Sequence, residues 1–476
     1  ASCDIGHRLH PLSSTVSGLT PRTRRLSSLA GPGSGTGAAI RACALAPAFA
    51  SPRFSRVSNP RGADDAVRRA RIAVSVLFFT NALTLSAWLP RLAELQADIS
   101  LTDVAVGAAL AAGAAGGIAA GVSAGPLIHR WGSQRVAMAA LFIVAPILPF
   151  IGLAPGAWTL GFVLLLVGGL DAVMDAAMNS HAMRVQHEMR ATGVHRSILN
   201  TFHGYWSLGA VAGGLIGVAT AAISLPIAWM LAAIAVLCTV LVLVARPWLL
   251  PGKDPDSYLE TTDDPIGDAQ PDPSSLLAAG PANADERSAA TGVLHRPIIW
   301  GLGLFIILAV MIEDIPGRWS SIYLTDIGAP SATVGWGFVA FTVAMTVGRF
   351  SGDRIINALG ERRWTRVAMS GTAVVLGLSL LAQSPWLFMI GCAVTGFGVA
   401  TLFPAAMRAA AHVPGIRPAT GVATISWLSR AGFVTAPLIV GVIAENFSVA
   451  WGIGVTVVAA LILLPLSSIL TWEKSR

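Results

Sequence analysis

Apolar residues along this chain fall in blocks of roughly 18 to 26, each closed by a short polar stretch, and a helix of that length crosses about 30 Å of hydrocarbon at 1.5 Å per residue. The blocks cover 72–90, 104–128, 136–153, 158–183, 198–222 and 226–245, then 298–323, 332–352, 366–383, 386–411, 419–443 and 448–471. Twelve transmembrane helices in two sets of six are therefore predicted, residues 71–245 forming one bundle and 298–471 the other. The stretch 246–297 is rich in Asp, Pro, Ala and Ser and reads as a flexible linker. Residues 1–70, rich in Arg, Ser, Ala, Gly and Pro, read as a disordered basic tail, and 472–476 as a short C-terminal one. No Met precedes Met138, so a start at Val57 or Val67, or an organellar transit peptide, are the expectations for that first segment.

Composition agrees with the pattern. Only 12% of the 476 residues are charged and 54% are hydrophobic, against about a quarter charged in soluble domains. The net charge of +7 does not point to a nucleic-acid partner, because much of the Arg excess sits in the basic tail. Cys3, Cys43, Cys238 and Cys392 lack paired spacing, so neither a metal site nor a disulfide framework is expected, and no cofactor is implied. No Gly-x-x-x-x-Gly-Lys-Ser/Thr, Gly-x-Ser-x-Gly or His-Glu-x-x-His occurs, which leaves direct ATP drive and enzymatic readings without support.

Positive residues collect in alternate loops: Arg130 and Arg135; Arg184, Arg190 and Arg196; Arg354, Arg362, Arg363 and Arg366; Arg408 and Arg417. The opposite loops carry only Arg91 and Arg318 near their ends. By the positive-inside rule both termini and the linker are cytoplasmic, in a multi-pass protein of the cytoplasmic (inner) membrane. Trp88, Trp131, Trp158, Trp248, Trp364 and Trp386 fall near predicted span ends, as an interfacial belt would.

A weak internal repeat links the halves. Gly125 opens Gly-Pro-Leu-Ile-His-Arg-Trp-Gly after the second block and Gly348 opens Gly-Arg-Phe-Ser-Gly-Asp-Arg after the eighth. The same shift pairs Gly209 with Gly432, and a slightly different one pairs Ala176-Ala177-Met178 with Ala405-Ala406-Met407.

Residues 71–471 resemble the major facilitator superfamily. The stretch Gly125 to Arg135 is similar to its signature Gly-x-x-x-Asp-Arg-x-Gly-Arg-Arg: Gly125, Arg130 and Gly132 are in place, Arg135 lies just past the final pair, His129 replaces the Asp, and Ser133-Gln134 replaces the Arg pair. In the family that Asp helps latch the cytoplasmic side, a role the resemblance would pass to Asp353-Arg354. Asp171-Ala-Val-Met-Asp175-Ala-Ala-Met-Asn179, Phe202 to Gly209 and Arg318 to Leu324 resemble a bacterial branch related to the fucose/proton symporters, with Arg318 where that branch has an acid.

Ionisable side chains inside spans are costly in lipid and are functional candidates. Asp171, Asp175 and Asn179 recur at i, i+4 and i+8, on one face of the fourth span. Two carboxyl groups one turn apart and away from bulk water suit proton uptake and release; the alternative is a buried Asp bonded to a neighbouring helix. Glu313 and Asp314 lie in the seventh span. The resemblance favours Glu313 as cavity-lining, against an ion pair with Arg318. Arg430, mid-way along the eleventh span, is a partner for an anionic solute or for one of the fourth-span acids. Asn81, Asn200 and His203 are weaker candidates, Arg349 reads as a snorkelling or loop residue, and the series Gly209, Gly213, Gly217 reads as a helix contact. The functional expectation is a monomeric, proton-coupled secondary transporter of a small polar solute such as a sugar. The alternatives are a proton-driven exporter of drugs or amphiphiles and a non-transporting membrane sensor.

Overall fold

The computed structural model describes residues 60–191, 198–254, 296–414, 416 and 418–473. Among them are twelve helical segments long and apolar enough to cross a membrane: α1 Asp65–Asp98, α2 Asp103–Trp131, α3 Ser133–Ile151, α4 Ala157–Arg190, α5 Thr201–Ala222, α6 Ile227–Trp248, α7 Pro297–Asp326, α8 Ser331–Leu359, α9 Glu361–Ala382, α10 Pro385–Ala411, α11 Thr420–Asn446 and α12 Val449–Leu470. No strand occurs among the described residues. The expectations for 1–59 and 255–295, for Cys3, Cys43, Arg196 and Arg417, and for the side chain of Asn200 lie outside them.

Several elements differ from the hydropathy reading at their ends. The first helix begins at Pro60, inside the stretch expected to be disordered, with proline in the first turn, where its missing N–H costs nothing. It breaks at a 3-10 turn, Leu89–Arg91, and resumes as Leu92–Asp98. α4 and α8 continue past the apolar blocks, because a helix end at the membrane surface can stay hydrogen-bonded in polar surroundings. α10 is interrupted between Val399 and Leu402. The Trp364 indole N–H donates to Thr401 Oγ1 at that break, 2.9 Å away. Trp364 and Trp88 are thus buried rather than part of an interfacial belt, whereas Trp131, Trp158, Trp248 and Trp386 are exposed. Cys238 and Cys392 are buried free thiols.

Within the first six segments α2 packs on α4 and α1 on α5; within the second, α8 packs on α10 and α7 on α11. The two halves meet along α2 with α11 and along α5 with α8, which are equivalent pairs under the pseudo-symmetry. Close contacts repeat as well. Gly168 lies against the Gly113 carbonyl, as Gly396 does against that of Phe341. Gly209 meets Phe79 and Ala82 on α1, as Gly432 meets Ile307 and Val310 on α7. Gly213 and Gly217 continue the first of these along α1, so the glycine series is a helix contact.

The turns Gly132 and Gly360, at φ +87° and +79°, join α2 to α3 and α8 to α9 in a left-handed region that disfavours a Cβ. Their separation, like that of Gly168 and Gly396, is 228 residues. Gly125 therefore corresponds to Asp353 and not to Gly348, which corrects the register read from the sequence at this loop. The five-residue difference exceeds one helical turn of 3.6 residues. A short Gly motif inside two apolar helices carries too little information to detect such a slip.

The start of α1, the end of α12, the α2–α3 and α8–α9 turns and residues 249–254 lie on one face of the helical bundle, here the terminal face; the α1–α2 and α7–α8 connections lie on the far face. The start of the expected flexible linker is ordered on the terminal face. Asp254 accepts from Ser133 N (2.7 Å) and Ser133 Oγ (2.9 Å) at the start of α3, and pairs with Arg184 of α4 at 3.3 Å. Arg184 also donates to the Pro251 carbonyl, and Leu250 N donates to His181 Nε2. An acidic side chain at a helix start, facing a cation, holds this segment down, and composition alone could not show it.

Candidate functional site

Between the halves lies a cavity of about 850 Å³, within the range of small-molecule sites. On the far face it is closed by backbone-close helix crossings. Gly107 lies against the Pro437 carbonyl and Gly441 against that of Asp103, while Ser321 Oγ reaches the Leu89 carbonyl at 3.5 Å. A Cβ at Gly107 would come within 2.3 Å of that oxygen. Towards the terminal face the lining continues to Leu199, Ile356, Arg408 and the exposed Asp353. The cavity thus runs to that face.

Asp171 and Asp175 both line it from α4, one helical turn apart. Asp171 Oδ1 accepts from Asn81 Nδ2 of α1 at 2.6 Å, and Asn81 Oδ1 in turn accepts from the Trp206 indole of α5 at 2.9 Å. Asn179 is buried behind this face and does not line the cavity; its Nδ2 donates to the carbonyl (3.0 Å) and side chain (3.2 Å) of Asp175. His203 lines the cavity from α5, its ring edge-on to Phe78 at 5.4 Å.

From the second half, Glu313 and Asp314 both reach the lining, but they have different partners. Asp314 makes the ion pair with Arg318, one turn along α7. Glu313 accepts from Arg349 Nη2 of α8 at 3.2 Å. Arg349 also donates to Ser207 Oγ of α5 at 3.0 Å, and its guanidinium lies over the Trp206 ring, 5.5 Å from the centroid. It is therefore a cavity residue bridging the halves, and not the snorkelling or loop residue its position near a span end suggested. Its visible signal was an Arg inside the apolar block 332–352; its partners, on helices far away in sequence, were not visible. Trp206 and Ser207 were missed for the same reason.

Arg430 reaches from α11 across to α2, where Nη1 donates to the Gly117 carbonyl at 3.2 Å. The glycine at position 121 makes room: a Cβ there would sit 3.4 Å from both terminal nitrogens. Asp175 is near enough for its charge to act on Arg430. Around these groups the second half supplies an aromatic wall that includes Phe338, Phe341, Phe403 and Phe433.

The loop residues singled out by resemblance are more dispersed. Gly125, His129 and Arg130 lie in the last turns of α2, the latter two exposed, and Arg130 stacks on Trp131 at 5.7 Å. Gly132 forms the turn, and Arg135 is exposed at the start of α3. Among the described residues Asp353 and Arg354, near the end of α8, have no side-chain hydrogen bond or ion pair. No cluster able to hold a metal ion occurs among the described residues.

Comparison with known proteins agrees with this architecture. Residues 319–476 match the sequence model of the Major Facilitator Superfamily. The chain is 27% identical over 387 residues to an uncharacterised MFS-type transporter of Yersinia pestis, covering 80% of this chain and 91% of that one. It is 28% identical over 380 residues to membrane protein MosC of Rhizobium meliloti, covering 78% and 83%. Among solved structures, a mutant of the nucleoside transporter NupG superposes with a TM-score of 0.63 at 13% identity, covering 84% of this chain and 98% of that one. The protein has the twelve-helix fold of the major facilitator transporters, and its sequence matches support that superfamily.

Proposed function

We propose that the protein is a secondary transporter that moves a small polar solute by alternating access and couples the movement to protons. One observation carries the reading. A chain of polar contacts, Asp171–Asn81–Trp206–Arg349–Glu313, runs along the cavity from a carboxyl group of one bundle to a carboxyl group of the other. Rocking the bundles about a central site must break or rebuild the Arg349 contacts to Trp206 and Ser207, the part of the chain that crosses between them. A carboxyl group held by a neutral amide can gain a proton without stranding a cation. Asp171 is therefore the proton site, and the tie through Asn81 and Trp206 conveys its state to Arg349.

The Arg distribution supports a cytoplasmic terminal face in the cytoplasmic membrane, so this conformation is inward-facing and its far-face contacts are the closed outer gate. The cavity is complete within one chain, in keeping with a monomer. Resemblance to the fucose/proton symporter branch favours sugar-like solutes, and the nucleoside transporter of like fold adds nucleosides to the first panel. Export of an amphiphile is the second reading, favoured by the aromatic wall. The test is solute movement in proteoliposomes under an imposed pH gradient, with wild type and Asp171→Asn. Proton-driven accumulation that disappears in the variant is expected; a variant that still accumulates solute with wild-type pH dependence would sink the coupling scheme.

A further inference from the structure

Four arginines line the cavity, and three have carboxylate partners within the protein: Arg318 with Asp314, Arg349 with Glu313, and Arg408 with Glu361. Arg430 differs. Its one hydrogen bond among the described residues is to the Gly117 carbonyl, and its Nε is buried with no partner. A guanidinium has five donors in a planar fork matched to carboxylate, and this half-buried one leaves most of them free to face the cavity. Asp175 acts on it through charge.

We infer that Arg430 is the anchor for the carboxylate of the transported solute, and that the substrates are small organic monoanions such as sugar acids. This rests on the transporter reading and narrows its solute class. The position fits the assignment. Arg430 stands on α11 and faces α2, so a carboxylate bound there sits at the seam between the halves, where its arrival and departure bias their relative position. The absence of a side chain at Gly121 leaves room for the guanidinium, and Phe433, one turn along α11, lines the same cavity for the solute's carbon frame. One such cation opposite two acids, Asp171 and Asp175, suits a single negative charge; a dianion would meet repulsion from α4. Binding at Arg430 replaces the contact to the Gly117 carbonyl, loosening one tie between α11 and α2.

The experiment uses the full-length protein in lipid nanodiscs and proteoliposomes with matched pairs of solutes: glucose and glucuronate, ribose and ribonate, glycerol and glycerate. Thermal stabilisation and uptake are measured for wild type, Arg430→Gln, Arg430→Lys and Asp175→Asn. The expected result is that at least one carboxylate stabilises the protein while its neutral counterpart does not. Arg430→Gln should weaken that binding at least tenfold, Arg430→Lys less, and Asp175→Asn, which removes a negative charge acting on Arg430, should tighten it. Retained thermal unfolding of the two Arg430 variants without solute separates lost binding from lost fold. The inference is overturned if no carboxylate binds, if the neutral member of a pair binds equally well, or if Arg430→Gln binds like wild type. Uptake of neutral solutes with Arg430→Gln intact would leave the transporter standing while removing the anion anchor; failure of every solute to move would count against both.

Discussion

α4 and α7 each carry two carboxyl groups at membrane depth, yet their partners differ in kind. On α7, Asp314 is tied to Arg318 and Glu313 to Arg349, cation against anion. On α4, Asp171 is held by the neutral Asn81, whereas Asp175 accepts from Asn179 and also acts through its charge on Arg430. Neutralising an acid whose partner is an arginine leaves a cation exposed to a low dielectric, whereas neutralising one whose partner is an amide leaves only a hydrogen bond to rearrange. The α7 acids are thus suited to fixed or slowly exchanging pairs, and Asp171 on α4 to changing charge during a cycle.

The largest effect that tests this contrast is expected at Asp171. Asp171→Asn should lower proton-driven accumulation on the order of 100-fold, the range of a positioned proton-transfer group, with solute exchange at equal pH largely retained. Loss of both activities together would point to a folding role instead. Next comes Asp314→Asn, which strands Arg318. Breaking a buried pair costs about 3–5 kcal/mol, and because Arg318 is 31% exposed a loss of about 2 kcal/mol is expected, read as a lower unfolding temperature. An unchanged unfolding temperature would erase the distinction between the two helices.

Glu313→Gln should have an intermediate effect, since Arg349 keeps Ser207 and Trp206. Transport slowed about tenfold, equivalent to about 1.4 kcal/mol, with stability little changed, is the outcome to look for in initial rates. The smallest effect belongs to Trp206→Phe, which keeps the ring under Arg349 but removes the indole N–H to Asn81. A change of about 1 kcal/mol, the net worth of one hydrogen bond, should appear as a shifted pH dependence of transport. An unshifted profile would mean that Asn81 orients Asp171 without help.

Particular residues show how far the sequence could be read. The twelve spans were legible because a block of apolar residues spanning about 30 Å is a local property of the chain. The face Asp171, Asp175, Asn179 was also legible in its spacing, although Asn179 turned out to lie behind the other two. Arg349 and Arg430 were visible as charges within apolar blocks. Their partners were not: Arg349 contacts α5 and α7, and Arg430 contacts α2. The pairing of Arg318 with Asp314 and not Glu313 follows from the i,i+4 spacing on α7 and was available from the sequence.

What the sequence by itself determined is the solvent this chain needs, the number of its helices and which polar residues must sit among them, because each follows from the cost of placing polar groups in hydrocarbon. What only the tertiary structure decided is that Glu313 faces Arg349, that Asp254 fastens the beginning of the linker, and that Arg430 has no carboxylate in contact among the described residues. Those outcomes depend on contacts between helices tens to hundreds of residues apart, and their geometry arises from the close approach of backbones across the two halves.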